Sequence, residues 1–127
     1  MHDFYIEWGG EIRTSGHHPK KRPWRIGLEG GETIEMEEGA LATSGDRWQK
    51  EHFQGKYYTH IIDPKHLKPL ECQKDVPRSV TILAPTCFEA DIIATTALLF
   101  QSKEEAIVWL ETIKKEWIPS LNYWFSD

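Results

Sequence analysis

The 127-residue sequence lacks a hydrophobic run long enough to cross a membrane. A spanning helix needs about 18 or more consecutive apolar residues, whereas the most apolar stretch, residues 90–100, is shorter and contains Asp91. No basic-then-apolar leader precedes Phe4, so no signal peptide is predicted. Cys72 and Cys87 are too few for a cysteine metal knuckle and allow at most one disulfide.

Positive charge is also scarce, because 15 Lys and Arg residues face 20 Asp and Glu residues, giving a net charge of −5. General binding to nucleic acid needs a basic surface, so that class of function is excluded. Six tryptophans argue against disorder. They are many for so short a chain, and we expect some to line a ligand site or to face protein outside these residues. Length and the absence of repeats or linkers predict one domain, residues 1–127.

Alternation of apolar and polar residues predicts that strands dominate the first two thirds of the chain. Gln54-Gly55 between two such runs indicates a hairpin, whereas residues 17–23 and 65–77 are predicted to be loops. The predicted strands cover residues 4–8, 11–14, 24–28, 33–36, 40–44, 47–53, 56–62, 78–84 and 120–125.

Two helices are predicted late in the chain. Thr86 is a suitable N-cap for residues 87–100, whose body is apolar nearly all round and is therefore expected to be buried. Ser102 and Glu105 form a capping-box pattern for residues 103–115. Strands followed by helices predict an α+β fold: an antiparallel sheet with the two helices packed on one face.

Asp91 is the residue most suggestive of chemistry, because a carboxylate inside an apolar helix is costly unless it is paired or bound to a cation. Thr95 lies four residues further, so both oxygens project from one helix face. Carboxylate and hydroxyl oxygens suit a hard cation such as Mg²⁺. The alternative, equally open at this point, is a buried aspartate satisfied by neighbouring backbone or by Arg78.

A second candidate is His60, near the end of the predicted strand 56–62. Alternation places His60 on one strand face and Ile61 and Asp63 on the other. The histidine pKa lies near neutrality, which suits proton transfer, although a hydrogen-bonded structural histidine is the more common case.

Ser44 lies in a third candidate, the small, hydroxyl-bearing segment 42–46. If this segment is a turn, its backbone amides can bind phosphate oxygens, and an ordinary turn is the alternative.

These segments belong to a set of blocks that follow one another in the order known from one family. The chain resembles the C-terminal half of the FAD:protein FMN transferases, the ApbE family, once described as thiamine-biosynthesis lipoproteins. The resemblance runs from about Phe4 to Leu121. Its blocks are Gly9-Gly10-Glu11-Ile12-Arg13, Pro23-Trp24-Arg25-Ile26-Gly27, Ala42-Thr43-Ser44-Gly45-Asp46, His60-Ile61-Ile62-Asp63-Pro64, Ser79-Val80-Thr81-Ile82 and Ala90-Asp91-Ile92-Ile93-Ala94-Thr95.

The resemblance implies Mg²⁺-dependent transfer of FMN from FAD to a threonine of an acceptor flavoprotein, typically a subunit of a membrane redox complex, with release of AMP. In this interpretation Asp91 and Thr95 match the side-chain metal ligands of the family. His60 matches the proposed base and also contacts the cofactor. Ile61, Asp63 and Ser44 complete the predicted cofactor-binding residues.

The sequence departs from the family in two respects. His66 and Leu67 stand where the family has Thr and Gly, which we expect to reshape the loop after Asp63. No counterpart of the family's N-terminal half precedes Phe4. The alternative function is therefore a truncated, non-catalytic relative that binds flavin weakly or binds a partner. A separate N-terminal half or a homo-oligomer would complete the protein. No signal is present, so the chain as it stands is expected in the cytoplasm, whereas family members are often periplasmic lipoproteins.

Overall fold

The computed structural model describes residues 2–45, 50–73 and 75–126. Its two helices are α1 (Cys87–Ala97) and α2 (Lys103–Glu116). Within the described ranges, no helix is long and apolar enough to span a membrane. The strands are β1 (Phe4–Trp8), β2 (Glu11–Ser15), β3 (Trp24–Gly27), β4 (Thr33–Met36), β5 (Gly39–Gly45), β6 (Lys50–Phe53), β7 (Lys56–Asp63), β8 (Lys68–Glu71), β9 (Ser79–Ala84) and β10 (Asn122–Ser126).

The strands form three antiparallel sheets. The main sheet has the order β1-β2-β5-β9-β10, and β3-β4 and β6-β7-β8 form the two smaller sheets. Both helices contribute to the hydrophobic cluster on one face of the main sheet, and residues of β3 and β4 contribute to the cluster on the other. The predicted α+β class, with both helices on one sheet face, is confirmed.

Alternation along the central strands determines which side chains face the helices. In β9, Val80 and Ile82 pack in the helix-side cluster, and Leu83 contacts the opposite cluster. In β5, Ala42 faces the helices and Leu41 faces away. Because side chains alternate with a period of two, Ser44 lies on the same face as Ala42.

Helix α1 begins as predicted and ends three residues earlier than predicted. The Thr86 hydroxyl accepts a hydrogen bond from the backbone N–H of Glu89 at 3.2 Å, and the Glu89 carboxylate accepts one from the backbone N–H of Thr86, also at 3.2 Å. This reciprocal pair is a capping box. At the other end, the N–H groups of Leu98 and Leu99 bond to the carbonyls three residues earlier. Such bonds tighten and end the helix at Ala97 rather than Phe100.

The prediction that α1 is buried nearly all round is wrong. Its inward residues recur at helical spacing: Ala90, Ile93, Ala94 and Ala97 are buried against the sheet. The solvent-exposed side shows the same spacing in Phe88, Asp91, Ile92 and Thr95, and Thr95 lies at the edge of this side, where it still reaches the sheet through Ser44. The sequence did not predict this division, because apolar residues occur on both sides of the helix and therefore do not indicate which side is buried.

Strand β8 (Lys68–Glu71) lies within residues 65–77, which were predicted to be loop, so that prediction is wrong in part. The segment contains Pro69, which is tolerated because β8 is an edge strand of its sheet. The other described strands agree with the predicted bounds to within two residues, and the start of predicted strand 47–53 lies outside the described residues.

The turn between β7 and β8 contains Leu67 in a backbone conformation that is unusual for leucine. Leu67 has a φ of +54°, in the left-handed region that favours glycine, and its side chain is 80% exposed. Its backbone N–H bonds to the Asp63 carbonyl at 2.8 Å, and the Asp63 carboxylate accepts the Lys65 N–H at 2.8 Å. Leu67 therefore adopts a strained left-handed conformation in this turn, and a change of loop shape relative to the family stays a prediction.

We predict that Leu67→Gly raises the free energy of unfolding by about 0.5–1 kcal/mol, because it relieves left-handed strain while losing little buried surface. Lys65→Gly is the matched control in the same turn. Lys65 has a negative φ, so this change is expected to destabilise by about 0.5–1 kcal/mol. Urea unfolding of both variants checks the pair. Equal effects of the two glycines would contradict strain at Leu67.

Candidate functional site

The outward face of α1 forms one wall of a cleft that contains Asp91. This cleft has a volume of about 380 Å³. Asp91 is exposed and forms no hydrogen bond or ion pair with any residue in the described ranges. The alternative of a buried aspartate satisfied by backbone or by Arg78 is therefore wrong. The other lining residues come from β1, β2 and the start of α1: Ile6, Trp8, Glu11, Arg13, Cys87 and Phe88.

One helical turn after Asp91, the structure brings together two predicted site residues from distant parts of the chain. The Ser44 Oγ and Thr95 Oγ1 atoms lie 3.2 Å apart, within hydrogen-bond distance. Thr95 lies on the solvent face of α1, and Ser44 lies near the end of β5 on the helix side of the sheet. Strand β5 and helix α1 thus place an exposed carboxylate and two hydroxyls along one surface.

Ser44 does not lie in the predicted turn. Residues 42–45 belong to strand β5, where Ser44 pairs with Val80 and Gly45 pairs with Ser79. Among the described residues, β9 pairs with residues 42–45 on one side of β5, whereas β2 pairs with β5 only as far as Ala42. The predicted turn is therefore not observed for residues 42–45, and a binding role for Ser44 stays a prediction. Asp46 lies outside the described residues.

Gly45 marks a close approach between β5 and β9. A Cβ atom at this position would lie 3.0 Å from both Cβ and Oγ of Ser79 and 3.2 Å from the carbonyl oxygen of Arg78. Contacts of that length force neighbouring atoms to shift. Because glycine has no Cβ atom, β5 can stay paired with β9 at Gly45, the residue after Ser44.

His60 lies in an irregular part of β7. The pairing of β7 with β8 shifts register between Tyr58 and Ile62, and the buried Thr59 hydroxyl accepts a hydrogen bond from the Ile61 N–H at 3.0 Å. The His60 side chain is exposed and has no hydrogen-bond partner among the described residues. Irregularities of this kind re-aim side chains and are frequent beside active sites.

Ile61 and Asp63 face inward, opposite His60, as the alternation predicted. Ile61 packs against the helix-side hydrophobic cluster. Asp63 is buried, and its Oδ2 atom lies 2.5 Å from the His66 Nδ1 atom. The hydrogen bonds from His66 and from the Lys65 N–H lower the pKa of the Asp63 carboxyl below its ordinary value. Asp63 therefore holds its own turn together.

The turn after Asp63 borders a second cleft, about 460 Å³ in volume, against the end of α1. Its walls combine charged side chains of β7, β8 and their turn with apolar side chains that follow α1. Among its lining residues are Asp63, Lys65, His66, Lys68, Leu70, Thr96, Leu99 and Phe100.

The predicted site residues are gathered only in part. Ser44 and Thr95 are in direct contact, and Asp91 shares the α1 face with Thr95. Among the described residues, no hydrogen bond or ion pair joins the His60 side chain to any of these three. Helix α1 is the common element, because one cleft contains Asp91 and the other contains Thr96.

The Asp91 carboxylate and the Thr95 hydroxyl are of the right chemical type for a hard cation, but two donors are fewer than such an ion needs. In the described part of the chain, no group of three or more His, Cys, Asp and Glu side chains is arranged to hold a metal ion. The unpaired Asp91 carboxylate and the Thr95 hydroxyl are oxygen donors of the kind Mg²⁺ prefers. Mg²⁺ usually keeps waters and binds through one or two carboxylates plus substrate phosphates, which is consistent with a partial protein site.

Sequence patterns missed the apolar residues beside Asp91. Trp8 and Phe88 are 83% and 74% exposed and line the same cleft. Trp117, on the surface after α2, is 75% exposed. The described tryptophans therefore include two that the chain leaves uncovered, as the aromatic excess suggested. The alternating apolar residues of β1, together with Phe88 at the start of α1, were the available signal.

The chain is thus an antiparallel α+β protein in which one helix, α1, exposes a carboxylate and a hydroxyl. We compared this fold and sequence with those of known proteins. The pattern of the ApbE family matches residues 1–118. The chain belongs to the ApbE family.

The chain is similar to proteins named FAD:protein FMN transferase. It is 51% identical over 108 residues to that of Chlamydia pneumoniae, and 34% identical over 119 residues to that of Vibrio cholerae. These alignments cover 84% and 87% of this chain and 34% of each relative. The chain thus spans about a third of the length of these relatives.

Solved structures of the family share the fold. The ApbE protein of Thermotoga maritima is 28% identical with a TM-score of 0.70, covering 98% of this chain and 43% of that one. The apo flavinyl transferase ApbE of Pseudomonas stutzeri has a TM-score of 0.76 at 24% identity, covering 98% and 37%, and supports the fold alone.

We predict that His66→Ala raises the pKa of Asp63 toward its ordinary value of 3.8. The Lys65 N–H bond remains, so the rise is partial. A carboxyl with a lowered pKa contributes stability above its unfolded pKa and loses it as pH falls through its folded pKa. The variant should therefore lose this contribution at higher pH than the wild-type chain. Carbon-13 NMR titration of the Asp63 carboxyl measures the shift.

His52→Ala is the control, because the His52 ring packs against Tyr57 rather than contacting Asp63. An unchanged Asp63 titration in His66→Ala would show that the hydrogen bond to His66 does not lower the pKa.

Proposed function

We propose that the chain takes part in Mg²⁺-dependent transfer of FMN from FAD to a threonine hydroxyl of an acceptor flavoprotein, a subunit of a membrane redox complex. The threonine oxygen forms a bond to the FMN phosphorus, and the pyrophosphate P–O bond to the adenylate breaks. AMP leaves with the bridging oxygen, and the threonine proton passes to His60. Membership of the ApbE family and the shared name of the relatives support the reaction class.

The observation that carries the proposal is the unpaired Asp91 carboxylate beside the Thr95 hydroxyl, on one exposed face of α1. These two side chains would hold Mg²⁺ in this function. An ion held by these two side chains would supply positive charge against the pyrophosphate during transfer. An exposed carboxylate is solvated and needs no partner for stability, so the support for a cation here is the position of Asp91 beside Thr95 together with the family match.

His60 is proposed as the base that removes the threonine proton. Its imidazole is exposed, without a described hydrogen-bond partner, in the irregular part of β7. Imidazole takes up a proton near neutral pH, as general base catalysis requires. The following residues, Ile61 and Asp63, shape the turn that would contact the flavin, and Asp63 borders the cleft of about 460 Å³.

The 127 residues are proposed to form one domain that corresponds to the C-terminal part of the family, with further protein completing the site. The relatives are about two and a half times as long as this chain, and the apolar side chains Ile6, Trp8 and Phe88 are exposed around Asp91. We define these three as the β1–α1 apolar face. Covering it would bury the apolar surface next to the proposed metal ligand.

Asp91→Asn is expected to reduce flavin transfer at least about a hundredfold, because it removes the anionic ligand that this chain is proposed to supply to the ion while keeping side-chain size. The measurement is covalent flavin fluorescence on a denatured acceptor subunit after incubation with FAD and Mg²⁺. The chain is assayed alone and also mixed with the part of the Chlamydia pneumoniae relative that lies outside the aligned region.

Glu104→Gln on α2 neutralises another exposed carboxylate and should leave transfer unchanged. An acceptor whose target threonine is replaced by alanine must remain unlabelled. Absence of fluorescence with the wild-type chain under both conditions would contradict the proposed transfer and favour a non-catalytic relative.

Trp8→Ser is expected to weaken binding of the remaining length of the Chlamydia pneumoniae relative at least tenfold, because Trp8 is the largest side chain on the β1–α1 apolar face. Isothermal titration calorimetry measures the affinity. Trp117→Ser is the matched control, since Trp117 is almost as exposed and lies outside this cleft. Equal affinities of the two variants, or self-association through the same face, would contradict the proposed docking.

A further inference from the structure

The contact between Ser44 and Thr95 links β5 to α1 across 51 positions of sequence. Either hydroxyl can donate this 3.2 Å hydrogen bond when no ligand is present. A hydroxyl oxygen that gives a lone pair to a cation must direct its proton elsewhere. A threonine hydroxyl has one O–H and two lone pairs, so Thr95 can bind a cation through one lone pair while its O–H donates to the Ser44 oxygen; this is the direction that the inference takes.

We propose that Ser44 is a positioning residue for the cation site and acts through Thr95. This inference rests on the proposed function, because it takes Asp91 and Thr95 as the ligands. It also changes the role first predicted for Ser44, from binding a cofactor directly to orienting a ligand of the cation.

Two features of the fold hold Ser44 in place. Its strand is paired to β9 on one side through Val80 and Ser79, with the close approach at Gly45 immediately after it. Its side chain is half-buried on the helix side of the sheet. A hydroxyl on a rigid strand costs little entropy to hold in position, so it can restrict the Thr95 rotamer effectively.

The energetic reason is that hydrogen-bond acceptors behind a metal ligand fix its orientation and raise its basicity. Removing such a partner typically weakens metal affinity about 10–100-fold. Cation binding also makes the Thr95 O–H more acidic and hence a stronger donor, so the hydrogen bond and the metal contact reinforce each other.

Strand β5 supplies a matched control one residue away. Thr43 makes the same kind of hydroxyl–hydroxyl contact, at 2.8 Å with Thr81. Alternation puts this pair on the opposite face of the sheet from α1. Thr43→Ala therefore removes a similar hydrogen bond from the same strand without touching Thr95.

The experiment titrates the full chain with Mn²⁺, a paramagnetic substitute for Mg²⁺, in the presence of FAD, whose phosphates supply the further oxygen ligands that such an ion needs. Broadening of the amide signals of Asp91 and Thr95 is followed by NMR. Ser44→Ala should raise the Mn²⁺ dissociation constant about tenfold. Ser44→Thr keeps the hydroxyl and should restore most of the affinity, whereas Thr43→Ala should bind as the wild-type chain does. A purely structural role for Ser44 would not produce this pattern.

Two results would overturn the inference, and they are distinguishable. If Asp91→Asn abolishes the broadening and Ser44→Ala does not change it, the metal site stands and the role of Ser44 is wrong. If Mn²⁺ does not broaden these signals in the wild-type chain, the proposed ligands are themselves wrong, and the inference about Ser44 falls with them.

Discussion

The close packing of α1 on the main sheet is the interaction on which the rest of the structure depends. The helix presents Ala90, Ala94 and Ala97 to the sheet, and all three are fully buried. On the sheet, the small residues Ala42 and Ala84 pack in the same cluster. Small side chains on both sides let the helix backbone approach the strands closely, and larger ones would separate them.

This approach has a direct consequence for the site. Serine and threonine have short side chains, so their hydroxyls meet only where the backbones that carry them lie close together. The 3.2 Å distance between Ser44 and Thr95 is thus a product of the alanine packing beneath it. Asp91 needs no such contact, because it lies on the outward face of the same helix and its position follows from the helical repeat.

Much of the fold was predictable because its signals are local. The predicted bounds of β1 and β4 agree with the structure residue for residue, and the N-caps Thr86 and Ser102 begin their helices as predicted. Strand β8 was missed because an edge strand containing Pro69 has no strand-like pattern of its own and forms only against β7. The exposure of Asp91 was missed because an apolar helix gives no indication of which face the sheet covers.

The sequence by itself determined the α+β class, the positions of most elements, the spacing of Asp91 and Thr95, and the order of blocks that identifies the ApbE family. Those properties depend on neighbouring residues or on one helical repeat. Only the tertiary structure decided that Asp91 faces solvent, that Ser44 meets Thr95 and that Asp63 is held by His66. The first two depend on how β5 and α1 pack across the sheet, and the third on a left-handed turn that leucine rarely adopts.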